Sequence, residues 1–146
     1  MNLHIDQREN EGIVILDLEG PITLNHGDLE LRDRLPALHQ SGKVNIVLNL
    51  KGVSHIDSSG LGTLVFGLAR LRKAGGSLAL VGLNRSHVEL LLLTRLAIAF
   101  ELFENEQDAV NSFFPERTAK RFDLLKFVEH KEEHNVINGA GSAISW

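Results

Sequence analysis

The run Asn45-Ile46-Val47-Leu48-Asn49-Leu50 constrains this chain most. It is rich in branched apolar residues and bounded by Lys51-Gly52, so it reads as a central strand with neighbours on both edges. Ile13-Val14-Ile15-Leu16-Asp17-Leu18 is a second, mostly buried strand, stopped by Gly20-Pro21. Ser77 to Leu83 gives another, Leu3 to Arg8 an edge strand, and Phe100 to Phe103 a short one. Between them lie helical stripes. Leu31, Leu35 and Leu38 mark the first, with Asp28 and Glu30 suited to its first turn and Pro36 expected to kink or shorten it. Leu61, Leu64, Val65, Leu68 and Leu71 mark the second, which ends in Arg70, Arg72 and Lys73 before Gly75-Gly76. A third begins near Ser86, and a last runs from Glu106 to Phe114 before Pro115. Strands alternating with helices at these spacings predict an α/β domain with a partly parallel sheet.

At 146 residues the chain is one ordinary domain, here 1–115, followed by an extension over 116–146. In the extension, Phe122, Leu125, Phe127 and Val128 fit an amphipathic helix, whereas Asn138-Gly139-Ala140-Gly141-Ser142 is linker-like. Phe122, Leu125 and Phe127 are too apolar for a purely solvated tail, so they are expected to dock on the domain or on a second copy as a homodimer.

With no cysteine, disulfides, thiol nucleophiles and cysteine-ligated metals are excluded. A net charge of −4 argues against general nucleic-acid binding, which needs a basic stripe. Met1 to Asp6 lacks the basic and apolar regions of a signal peptide, and no apolar run approaches the ~20 residues of a membrane span. The expectation is a cytoplasmic protein. His130-Lys131-Glu132-Glu133-His134 matches the H-x-x-E-H metal pattern, but a solvated polar helix end accounts for it better, and no metal or cofactor is expected. Asn84-Arg85-Ser86 reads as a turn and cap.

One stretch carries the functional question: HIDSSGLGTLV, residues 55–65. A nucleophilic Ser58 would need a positioned base, and His55, three residues away, need not face it. Ile56 also stands where a G-x-S-x-G elbow has its first glycine. Gly60-Leu61-Gly62-Thr63-Leu64-Val65 has two of the three glycines of G-x-G-x-x-G, a weak phosphate-cradle signal. Ser58 or Ser59 capping the helix is the plain reading, but it leaves two glycines unexplained, each costing about 1 kcal/mol inside a helix. A serine at an exposed helix start, with glycines for neighbours, is instead shaped to enter another protein's active site and be phosphorylated.

VLNLKGVSHIDSSGLGTLV (47–65) resembles the STAS domain, the module of anti-sigma factor antagonists and of sulfate-transporter tails. LEGPITL (18–24), GGSLALVGL (75–83) and FENEQDAV (103–110) resemble it more loosely. The resemblance implies a mixed sheet of four to five strands with helices largely on one face. It further implies a non-enzymatic, phospho-regulated anti-sigma factor antagonist in a partner-switching cascade. Ser58 would be phosphorylated by a partner that is both anti-sigma factor and serine kinase, and a serine phosphatase would reverse the step. The dephosphorylated form would bind that partner and free the sigma factor. Asp57, Ser58, Ser59, Gly60, Gly62 and Thr23 form the expected partner-binding set. Thr23 stands where phosphorylated members often carry aspartate, and Pro21 replaces an acidic or polar residue. The alternative is a STAS scaffold or adaptor in another complex, such as a stress-sensing assembly or a lipid-transport ATPase.

Overall fold

A computed structural model describes residues 2–127. Five strands form one sheet whose spatial order follows the chain: β1 (His4–Asn10), β2 (Ile13–Ile22), β3 (Asn45–Ile56), β4 (Ser77–Val81) and β5 (Glu101–Leu102). β1 pairs antiparallel with β2, and the later neighbours pair parallel. The crossovers carry α1 (Asp28–Gln40), α2 (Ser58–Lys73) and α3 (Arg85–Leu93). Parallel crossovers are right-handed, so strands laid down in one direction put their helices on one face. That face holds the main core, where Val14, Leu16, Ile46, Leu48, Leu78 and Leu80 meet Leu31, Leu35, Leu64, Leu68 and Leu91. The alternate residues Ile13, Ile15, Val47, Ala79 and Val81 point the other way, under Ala109 and Val110 of α4 (Glu106–Asn111). The central strand is therefore buried on both faces.

Several boundaries differ from the sequence reading, β4 stopping at Val81 rather than Leu83 and α4 at Asn111 rather than Phe114, and three others bear on the site's framework. β2 passes through Gly20-Pro21 to Ile22, because its register with β3 is irregular there and Pro21 costs no regular ladder bond. Gly20, at φ 114, also admits the Asn2 carbonyl where a Cβ would stand at 2.8 Å. β3 likewise runs on to Ile56, with Gly52 paired to Glu19. α1 continues beyond Pro36 to Gln40, held by Leu31, Leu35 and Leu38 on its buried side.

The described part of the extension lies against the domain. Arg121 bridges Phe103, and the Phe122 N–H donates to the Leu102 carbonyl at 2.9 Å. Phe122 and Leu124 pack on the main core, while Leu125 is 69% exposed. Of the expected Phe122, Leu125 and Phe127, Phe122 docks on the core, Leu125 does not and Phe127 is half-buried; Leu124 joins Phe122, because the short turn of helix over 124–127 turns Leu124 rather than Leu125 inward. Val128 and everything after it lie outside the described residues.

Candidate functional site

β3 ends at Ile56, and α2 starts two residues later. Asp57 between them is extended and caps the helix: its Oδ1 accepts the Gly60 N–H at 2.9 Å. Its Oδ2 accepts the Leu24 N–H at 3.0 Å, which ties the β2–α1 loop to the same carboxylate. These amides, Gly60 first and Leu24 second, hold the Asp57 carboxyl below the usual carboxylate range. The cap is therefore Asp57, and neither serine fills that role. Both serines instead lie inside the first turn, where their hydroxyls are available for other partners.

Those hydroxyls have different surroundings. Ser58 is exposed, and its side chain has no hydrogen-bond partner among the described residues. Ser59 is half-buried and donates to Asp28 Oδ2 at 2.8 Å. Among the described residues no hydrogen bond joins Ser58 to the exposed His55, so these two side chains are not a preassembled nucleophile and base. Thr23 sits in a tight turn, with its N–H donating to the His26 carbonyl at 2.8 Å and the return bond at 2.9 Å. The next residue, Leu24, contacts Asp57, so Thr23 borders the same surface.

The two glycines have unlike reasons. Gly60 is buried, and a Cβ there would lie 1.8 Å from the Ile22 carbonyl oxygen. The close approach it permits is between α2 and the end of β2, inside the chain. Gly62 is exposed, with nothing within 4 Å of its would-be Cβ. It opens the floor of a groove of about 590 Å³ between α1 and α2 that also includes Ser58, Ser59 and Phe66. Phe66 is 67% exposed, with Arg70 over its ring at 5.9 Å. A Ser58 to Gly62 to Phe66 stripe thus follows the i, i+4 spacing along the open side of α2.

Asp28 and Phe66 are the site residues that pattern reading did not assign. Asp28 read only as a favourable first-turn acid of α1, and nothing local shows that it meets a serine 31 positions on. Phe66 falls outside the apolar face of α2, and that was its available signal. Asn84 caps α3, accepting the His87 N–H at 2.9 Å, while the His87 ring accepts the Asn84 N–H at 3.2 Å. Among the described residues no cluster of three or more His, Asp or Glu could hold a metal, and no helix is long and apolar enough to cross a membrane. His130 to His134 lie outside the described residues.

The STAS domain family model matches residues 4–109. The anti-sigma-B factor antagonist of Bacillus subtilis is 30% identical over 110 residues, covering 75% of this chain and 99% of its own. The anti-sigma F factor antagonist of Paenibacillus polymyxa is 28% identical over 110 residues, covering 75% and 94%. The fold is shared with the Bacillus cell fate determinant SpoIIAA in its phosphorylated form, at a TM-score of 0.60 and 18% identity over 75% of this chain and 99% of that one. With its sheet order, its helix-start motif and a family match over most of its length, the chain belongs to the STAS domain family.

Proposed function

We propose that this protein is a phospho-regulated anti-sigma factor antagonist, with Ser58 as the phosphoacceptor. The observation that carries this reading is the exposed Ser58 hydroxyl, without a partner among the described residues, in the first turn of α2 directly after the capping Asp57. The two antagonists it resembles in sequence support the role, each over about 110 residues. A phosphate on Ser58 meets the positive end of α2, so the fold tolerates it, while a docked partner faces roughly two new negative charges. Binding is switched without unfolding. The partner is an anti-sigma factor that is also a serine kinase, and a serine phosphatase resets the switch. Asp57 fixes the turn that presents Ser58, and Gly62 leaves room for the partner to approach. Thr23 flanks the same surface.

The test is phosphate transfer from ATP by the cognate kinase. Wild type should be labelled, and Ser58→Ala should not. Ser58→Asp should weaken kinase binding, although one carboxylate imitates a phosphate dianion imperfectly. Labelling that survives Ser58→Ala and disappears in Ser59→Ala or Thr23→Ala would refute the assignment.

A further inference from the structure

The groove between α1 and α2 is lined by both Ser58 and Ser59, the first exposed and the second half-buried. Their partners differ. Ser59 donates to Asp28 Oδ2 at 2.8 Å, and Asp28 is only 1% exposed. The other carboxylate oxygen, Oδ1, is buried with no hydrogen-bond partner among the described residues. The nearest cation, Arg32 Nη2, stands 3.6 Å from Oδ2, on a side chain that is itself mostly exposed. Bracing α1 against α2 needs only an acceptor, which an asparagine would supply without burying a carboxylate. Bracing is therefore an incomplete account of Asp28.

We propose that Asp28 is a positioning residue that confines phosphorylation to Ser58, by making Ser59 an unfit acceptor. This rests on the reading that a kinase acts on this motif. In the transfer, the serine oxygen forms a bond to the γ-phosphorus of ATP as the bond to the departing ADP oxygen breaks. The hydroxyl proton passes to a base of the kinase. At Ser58 the product's charge of roughly −2 enters water at a helix N-terminus. At Ser59 the same charge would stand against a buried carboxylate, in a setting of low dielectric where like charges repel strongly. One half-solvated guanidinium cannot neutralise both groups. Ser59 must also give up its hydrogen bond to Asp28 before it can turn toward a kinase.

The experiment maps phosphate by mass spectrometry on the full chain purified from the cells that naturally make it. Wild type should carry phosphate on Ser58 alone, and Ser58→Ala should carry none. Ser58→Ala with Asp28→Asn keeps the shape and removes the charge. In it, Ser59 should become phosphorylated, at an occupancy at least about tenfold above the detection limit that Ser58→Ala does not exceed, the change expected when a like charge of that strength is removed. Ser58→Ala with Asp28→Ala should show the same gain if it folds. Asp28→Asn alone should leave Ser58 labelling intact, a result that general loss of structure would not give. Ser59 remaining bare in a Ser58→Ala, Asp28→Asn chain that melts like Ser58→Ala would overturn the proposal. So would phosphate on Ser59 in Ser58→Ala with Asp28 present. A wild type with no phosphate on Ser58 would instead remove the functional reading itself, and this proposal with it.

Discussion

Gly60→Ala and Gly62→Ala place the same methyl group two residues apart in one helix, and they should change stability in opposite directions. At Gly60 the new Cβ would lie 1.8 Å from the Ile22 carbonyl oxygen and 2.7 Å from its carbon, both backbone atoms. No rotamer relieves that contact, so the start of α2 must move away from the end of β2. Overpacking of this kind costs about 1–3 kcal/mol. The movement also pulls the Gly60 N–H from Asp57, a cap of about 1 kcal/mol. Against this stands a gain of up to about 1 kcal/mol from replacing a helical glycine. The net expectation for Gly60→Ala is a loss of about 1–4 kcal/mol. At Gly62 nothing lies within 4 Å, so only the propensity gain remains, about 0.5–1 kcal/mol. Urea unfolding followed by circular dichroism reads both variants, with the denaturant slope as a check that the denatured state is unchanged. In heat, each kcal/mol should move the midpoint by about 3–5 °C. If the two variants shift stability in the same direction, the argument that α2 is held against β2 through Gly60 fails.

Asp57→Ala should cost about 1–2 kcal/mol, because the Gly60 and Leu24 amides lose their acceptor. Since folding lowers the Asp57 carboxyl, its contribution is complete above the unfolded value of about 3.9 and is lost as pH falls through the folded value. The gap between wild type and Asp57→Ala in urea midpoint should therefore narrow in acid; a constant gap down to the acid limit would contradict the charge-assisted cap. His87 is buried, with Nδ1 accepting the Asn84 N–H and Nε2–H donating to the Val53 carbonyl at 3.1 Å. Burial lowers its pKa, so its contribution is complete above about 6.5 and declines as pH falls through the folded value. Wild type should lose stability from neutral pH toward pH ~5 more steeply than His87→Gln, as read by thermal midpoints across that range. Phe122→Ala should lower stability by about 1–2 kcal/mol, less than a fully buried phenylalanine, because Phe122 is half-buried against the core. A chain cut after Phe114 should melt lower still. Equal melting of the cut and full chains would show that 116–127 does not brace the domain, and sedimentation of the same pair tests the expected dimer.

The apolar runs and helical stripes were enough to specify the layered sheet, since period and branching decide which segments can be covered on both faces. Ile46, Val47 and Leu48 announce a central strand in any context, and Leu64, Leu68 and Leu71 announce the face α2 buries. The motif at 57–62 was legible as a helix start with an accessible serine for the same local reason. Strand ends were not, because Gly20-Pro21 and Lys51-Gly52 look like stops until β2 and β3 lie together and make each other's irregularities affordable. The capping residue was not legible either. Aspartate and serine cap about equally well, and only the extended backbone at residue 57 selects Asp57. Gly60 and Gly62 are identical letters whose roles separate only when the Ile22 carbonyl arrives beside one of them. The unlike fates of Ser58 and Ser59 depend on Asp28, which reaches the motif through the docking of α1 on α2. Patterns report what each segment prefers by itself, whereas partners distant in sequence act only after packing has set the distances between them.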